Sequence, residues 1–152
     1  MNIKTSEFKA GLIGKGIQAS LTPAMHMQEG RVHGLIYQYE LIDVSVIGDA
    51  FVSLDNLISD AEARGLSGLN ITHPFKQEVI NNLTELSDDA KALGAVNTVV
   101  LRDGKRIGQN TDWWGFSESM KRGLPDADLS NVVQLGAGGA GAATAYAILK
   151  LG

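Results

Sequence analysis

Val132-Val133-Gln134-Leu135-Gly136-Ala137-Gly138-Gly139-Ala140-Gly141 runs from a short apolar stretch straight into a glycine-rich turn, and an alanine-rich helical pattern follows over 140–151. The first four residues read as a buried strand. A G-x-G-x-x-G pattern that leaves a strand and opens a helix is the context in which such glycines hold a dinucleotide. They permit a tight turn and let the backbone approach a pyrophosphate, which then sits at the positive end of the helix. Gly136, Ala137, Gly138, Gly139, Ala140 and Gly141 are therefore assigned to a cofactor, NAD or NADP. The acidic residue that would choose between them is expected ~20 residues further on, past the last residue, so the choice stays open. A ligand-free glycine-rich turn is the plainer alternative, and the flanking strand and helix weigh against it.

Upstream of that turn, strand and helix patterns alternate. Residues 8–13 read as a strand closed by Gly14-Lys15-Gly16. Thr22 is suited to cap a helix and Pro23 to open it, which predicts a helix to about residue 34. Residues 35–42 are aromatic and β-branched, hence a strand. Phe51, Leu54, Ile58 and Ala61 recur at helical spacing until Gly65 stops them. A third strand is expected over 66–72, a helix from Pro74 carrying Val79, Ile80 and Leu83, and a short helix over 87–93 with Ser87 as cap. The segments 95–101 and 106–108 flank Asp103-Gly104, a strong hairpin turn. A helix over 113–122 and a polar link over 123–130 follow. The alternation predicts an α/β fold with a mixed, largely parallel sheet. It divides the chain into a substrate-binding domain (1–112), a helix and linker (113–130), and the first β-α unit of a dinucleotide-binding domain (131–152). One strand and one helix do not complete a domain, so the chain is expected to be truncated. Ala142, Ala145, Ile148 and Leu149 should then form an apolar stripe without a sheet beneath it, with fast hydrogen exchange beyond about residue 130.

Composition narrows the function. The 44% hydrophobic and 20% charged content is that of a globular chain. Net charge is −4 and Lys/Arg are dispersed, which speaks against nucleic acid as a partner. There is no cysteine, so disulfides and thiolate metal sites are excluded. His26, His33 and His73 show no metal-ligand spacing, and no metal is expected. Residues 1–7 lack the apolar core of a secretory signal, and no apolar run reaches the ~20 residues that span a bilayer. The expected location is the cytoplasm, without membrane contact.

Four polar segments fall at predicted strand ends or turns: Ser20-Leu21-Thr22-Pro23, Asn70-Ile71-Thr72-His73-Pro74-Phe75-Lys76, Gly94-Ala95-Val96-Asn97-Thr98 and Gln109-Asn110-Thr111-Asp112. Ligands of open α/β sheets bind beyond the carboxyl ends of strands. Each segment has a bland reading as well: Thr22 and Asp112 as helix caps, Asn97 as a turn cap, Lys76 as a solvated lysine.

Together with the glycine-rich turn, these segments resemble the shikimate dehydrogenase family. Ser-x-Thr-Pro, Asn-Ile-Thr-x-Pro-x-Lys, Gly-Ala-Val-Asn-Thr, Asn-Thr-Asp-x-x-Gly-Phe and Gly-Ala-Gly-Gly-Ala-Gly occur in that family's order, from about residue 11 to the last residue. The resemblance implies NAD(P)-dependent oxidation of a ring hydroxyl of shikimate to the 3-dehydro acid, in the shikimate route to aromatic amino acids or in the quinate pathway. It further implies that Ser20 and Thr22 hold the substrate carboxylate. Thr72, Asn97 and Asp112 would meet ring hydroxyls, and Lys76 with Asp112 would be the catalytic pair. Hydride leaves a carbinol only if the hydroxyl proton is taken up, so a proton-transfer group is required. Lys76 is assigned that role with Asp112 orienting it, and the reverse assignment stays open.

Thr22 stands where shikimate-specific members carry Ser, and it resembles the branch that also accepts quinate. The family's second half supplies most of the nicotinamide site, a substrate-binding Gln and a terminal helix that returns to the first domain. This chain alone is expected to be inactive. A homodimer is compatible with the family. Trp113 and Trp114 are expected to pack the inter-domain helix. Two other classes are compatible with parts of the pattern: a non-catalytic module for a cyclic polyol acid, against which Lys76 and Asp112 argue, and a methylene-tetrahydrofolate type dehydrogenase, against which Ser20 and Thr22 argue.

Overall fold

A computed structural model describes residues 7–48 and 53–152. Phe51 of the predicted helix and the first six residues lie outside the described part. Six strands form one sheet in the order β2-β1-β3-β5-β6-β4. Strand β1 (Glu7–Gly14) pairs in parallel with β2 (Ile36–Asp43) on one side and β3 (Gly68–Ile71) on the other. Strand β5 (Thr98–Arg102) is antiparallel to β3 and to β6 (Lys105–Gln109), and the short β4 (Glu85–Leu86) closes the edge parallel to β6. The sheet is mixed and largely parallel within an α/β fold, as the alternation of patterns implies.

Adjacent residues of a strand point to opposite faces, and β1 shows the result. Ile13 joins the main core with Leu54, Ile58, Leu69, Ile71, Val79, Val96 and Val99, whereas Leu12 joins a smaller cluster with Ile17 and Tyr39. Each fully buried aliphatic side chain contributes about 1.5–3 kcal/mol. Helix α1 (Thr22–Val32) lies on the face of the smaller cluster, where the His26 ring stacks on Tyr39 at 4.5 Å. The short helix α2 (Val44–Ile47) follows β2 directly. Helix α3 (Leu54–Ala63) covers the main core, capped by Ser53, whose hydroxyl accepts from Asn56 N at 3.2 Å. Helix α4 (Asp88–Leu93) is capped in the same way by Ser87. Asp103 and Gly104 turn the β5–β6 hairpin with φ of 54° and 71°, the left-handed pair that a two-residue hairpin demands.

Several elements depart from the sequence reading. The helix expected from Pro74 is a set of turns ending in a 3-10 helix, Glu78–Asn82. Phe75 and Val79 do face the core, but Asn81-Asn82 are poor helix formers and Leu83 turns extended to lead into β4. Both β4 and α2 were too short to leave a period in the sequence. Thr22 does not cap α1; it is its first residue, and Leu21 flanks it without a side-chain bond. Residues 132–135 form no strand, and Val133 and Leu135 are 90% and 96% exposed. A strand exists only where a neighbour takes its backbone groups, and none lies beside this segment among the described residues.

Helix α5 (Asp112–Gly123) and helix α6 (Gly139–Leu151) pack together. Ala143 and Ala147 are buried, and the Tyr146 ring meets Trp113 edge-on at 5.4 Å. The Tyr146 hydroxyl donates to Asp89 Oδ1 of α4 at 2.7 Å. The predicted bare stripe is therefore half right: Ala142 and Leu149 are exposed, while the opposite face of α6 is covered. No helix among the described residues is long and apolar enough to cross a membrane.

Candidate active site

Strands β1, β3 and β6 end, and antiparallel β5 begins, at the same margin of the sheet. The register Ile13 to Ile71, Asn70 to Thr98 and Thr98 to Gln109 brings there the loop after β1, the turn after β3, Asn97, and the start of α5. Lys76 Nζ donates to Asp112 Oδ2 at 2.7 Å, with the two side chains 28% and 36% exposed. Asn97 Nδ2 donates to the other carboxylate oxygen at 2.7 Å, so both oxygens of Asp112 are held. Asn97 is fixed in turn, since its Oδ1 accepts from Thr111 N at 2.8 Å and from the Thr98 hydroxyl at 3.1 Å.

Asp112 does not cap α5 but is its first residue; Thr111 stands at the cap without a side-chain bond, and buried Asn110 accepts from Asp112 N through Oδ1 at 3.1 Å. Its Nδ2 donates to Ala95 O. The Asp112 carboxylate is thereby free to face Lys76. Asn70 braces the strand below: Nδ2 donates to the Thr98 hydroxyl at 3.3 Å, and Oδ1 accepts from Tyr39 OH at 2.7 Å. Burial raises the pKa of that phenol, with the neighbouring Tyr37 adding to it, and keeps it a hydroxyl donor. Burial likewise lowers the pKa of His26, which favours the neutral ring stacked on Tyr39.

The second part of the site is the loop between β1 and α1. Ser20 Oγ donates to Thr22 Oγ1 at 3.0 Å and accepts from Thr22 N at 3.2 Å, which sets the two hydroxyls side by side. The structure records no direct bond between this pair and Lys76, Asn97 or Asp112. The tie runs through the backbone: Lys15 N donates to His73 O, and Thr72 N to Ile13 O, both at 3.0 Å. Gly14 permits this approach, because a Cβ there would collide with Thr72 Cγ2. Thr72, His73 and Lys76 form one wall of a cleft of about 600 Å³ whose other wall is Ala137, Gly138 and Gly139.

The glycine-rich turn fits the phosphates of a dinucleotide. A Cβ on Gly138 or Gly139 would meet nothing within 4 Å, so that backbone lies open, whereas one on Gly141 would lie 2.5 Å from Gly136 O. Gln134, which sequence reasoning took only as part of a strand, sews the turn: Nε2 donates to Gly136 O at 2.7 Å and to Gly141 O at 3.0 Å. No side chain caps the N-terminus of α6, which leaves its first N–H groups available to an anion. Sequence reasoning gave Asn70 no role of its own within its segment and missed Asp43. The signal for Asp43 is a carboxylate just past the predicted strand, followed by Ser45.

Comparison with known proteins places this arrangement. A family model described as the shikimate dehydrogenase substrate binding domain matches residues 12–99. The chain is 53% identical over its whole length to a shikimate dehydrogenase (NADP(+)) of Pseudarthrobacter chlorophenolicus, of which it covers 52%. It is 48% identical over 143 residues, 93% of the chain, to a quinate/shikimate dehydrogenase (NAD(+)) of Corynebacterium efficiens, of which it covers 50%. Quinate dehydrogenase from Corynebacterium glutamicum, solved in complex with NAD, superimposes with a TM-score of 0.92 at 47% identity over 97% of this chain and 52% of that one. The Thermus thermophilus shikimate 5-dehydrogenase, solved with NADP(H) and shikimate, gives 0.83 at 34% identity over 95% and 53%. The chain thus spans about half the length of the curated relatives it matches.

Proposed function

This chain belongs to the shikimate dehydrogenase family, and on that premise we propose that it is the substrate-binding half of an NAD(P)-dependent dehydrogenase that oxidises the ring hydroxyl of shikimate, and of quinate, to the 3-dehydro acid. Relatives with either substrate name and with either coenzyme in their names support that breadth. Residues 1–112 serve the acid, 113–130 form the link, and 131–152 begin the dinucleotide-binding part. The same reading places the activity in the cytoplasm with its small-molecule substrate.

The observation that carries the proposal is the Lys76–Asp112–Asn97 cluster, two bonds of 2.7 Å that meet on Asp112, with Lys76 in the cleft wall. Oxidation of the carbinol breaks its C–H and O–H bonds and forms C=O. A nicotinamide dinucleotide, when bound, takes the hydride. The chain's own residues handle the proton, which passes from the ring hydroxyl to the lone pair of Lys76, the transfer group of this reading, which must enter the step as the free amine, while Asp112 orients both. Asn97 holds one oxygen of Asp112 while the other faces Lys76, and Thr72 and Asn97 offer bonds to the remaining ring hydroxyls, Asn97 in exchange for its bond to the Thr111 hydroxyl. The side-by-side hydroxyls of Ser20 and Thr22, next to the start of α1, suit the carboxylate. Gly136 to Gly141 would hold the pyrophosphate.

Calorimetric titration of shikimate and of quinate into this chain tests the reading, with Lys76→Ala and Ser20→Ala as controls and circular dichroism to verify folding. Binding of either acid, weakened by both substitutions, is the expected result. A well-folded chain that binds neither, followed by the same failure in a longer product of the gene, would overturn it.

A further inference from the structure

Asp43 is 3% exposed, the one charged residue among the described residues that is almost fully buried, and the proton chemistry above does not use it. Its Oδ1 accepts from Gly16 N at 2.8 Å and from Ser45 N at 3.0 Å. Its Oδ2 accepts from Ile17 N at 2.9 Å and from Gln18 Nε2 at 3.0 Å. A buried carboxylate persists only where its lone pairs are satisfied in this way. Three of the four donors belong to the loop that leaves β1, and Asp43 sits opposite Gly14 in the β1–β2 register, so it reaches that loop from the neighbouring strand. The turn so held continues through Ser20 N, which donates to Ile17 O at 2.9 Å, into the Ser20–Thr22 hydroxyl pair.

We propose that Asp43 is a positioning residue of the substrate site, clamping the turn over residues 16–18 from strand β2 so that Ser20 and Thr22 stand preformed to receive a carboxylate. The identity of the acid rests on the functional reading above; the clamping itself does not. Lys76 and Asp112 are carried by other elements. Loss of the clamp should therefore weaken capture of the acid, because the loop must then be ordered at binding, and leave the proton-transfer pair intact.

The test pairs amide hydrogen exchange of the 152-residue chain without ligand with calorimetric titration of shikimate, in wild type, Asp43→Asn, Ser20→Ala and the double variant. In Asp43→Asn, exchange at Gly16, Ile17 and Ser20 should quicken ~10-fold or more while Leu69 and Val99 stay protected. The shikimate Kd should rise ~10-fold, and the double variant should bind no more than ~2-fold more weakly than the worse single one, since both act on one contact. Retained protection over 16–20, or single effects that multiply, overturns the proposal. Should Leu69 and Val99 open as well, Gln18→Ala, which removes one donor without touching the core, replaces the variant. A ~2-fold quickening at Ser20 then upholds the clamp and an unchanged rate overturns it. A wild-type chain that binds no shikimate bears on the functional reading, to be settled on the longer product as above, and the exchange data still decide the clamp.

Discussion

Lys76 Nζ lies 2.7 Å from Asp112 Oδ2 although 36 residues separate the two in the chain. The bond joins the turn after β3 to the first residue of α5, and Asn97 holds the remaining oxygen of the same carboxylate. Three segments of chain therefore converge on one side chain.

Replacing Lys76 with Ala should lower turnover of shikimate by about 10²–10⁴-fold, the usual worth of a positioned proton-transfer group, with a smaller change in KM. Steady-state kinetics of the dehydrogenase that contains this chain would show it. A change confined to KM would assign Lys76 to binding alone.

Arg106 offers a test of stability. Its side chain is 15% exposed and binds Glu62 at 2.7 Å, Asp55 at 2.5 Å and the Ser59 hydroxyl at 2.9 Å, tying β6 to α3. Arg64 makes a comparable set of ion pairs with Glu40 and Asp60 at 41% exposure. Arg106→Ala should cost about 2–4 kcal/mol and Arg64→Ala no more than about 1, because solvent screens the second set. Urea midpoints of the two variants measure the difference, and equal losses would contradict the argument.

Gly141→Ala places a Cβ 2.5 Å from Gly136 O, a backbone atom that cannot yield without opening the turn. Coenzyme affinity should fall by about tenfold or more, the order of one lost charge-assisted bond, while shikimate affinity holds. Titration of each ligand separately checks both halves of that statement.

The acid limb of stability should carry the mark of Asp43. Burial by itself would raise its pKa, but the bonds from Gln18 and from the N–H groups of Gly16, Ser45 and Ile17 prevail and hold the carboxyl at about 2, against an ordinary 3.8. A carboxyl with a depressed folded value contributes stability that is complete above its unfolded value and is lost as pH falls through the folded one. The Tm advantage of wild type over Asp43→Asn should thus be full above pH 3.8 and shrink toward pH 2. An advantage constant across that window would mean that the carboxylate is not the stabilising form.

Hydrogen exchange should divide the last quarter of the chain. Residues 132–135 lack strand partners, whereas α6 is held to α5 and α4 through Ala143, Ala147 and Tyr146. Fast exchange over 130–138 and slower exchange over 142–150 is expected by mass spectrometry. Uniformly fast exchange to the last residue would show that the α5–α6 contact is not maintained.

Much of this was legible in the residues. Short apolar runs, aromatic and β-branched composition and helical spacing located β1, β2, β3 and α3, and the Asp103-Gly104 pair located the hairpin, because burial and turn conformation act over a few neighbours. Lys76, Asn97 and Asp112 stood out as polar groups at strand ends, and the structure joins them. What stayed hidden depends on partners distant in sequence. Asn70 matters through bonds to other strands, and Asp43 through bonds to the loop that leaves β1. Residues 132–135 have strand composition but no neighbour to pair with, so local preference there is not realised. The Pro74 segment looked helical because Val79, Ile80 and Leu83 are spaced for it, yet the need to enter β4 at Glu85 ends it as a 3-10 turn.

The hairpin turned by Asp103 and Gly104 also bears on how the molecule comes together. It is the only pairing of the described sheet that closes locally; all the others join segments well apart in the chain. Chain-closure entropy makes local pairing the quick event and parallel pairing the slow one. Asn97 at one end of the hairpin and Asp112 just past the other thus meet early, while Lys76 and the Ser20–Thr22 loop arrive only once β1 and β3 have zipped. Substrate competence is accordingly a late acquisition of folding, and a refolding assay read by shikimate binding should lag one read by β-structure.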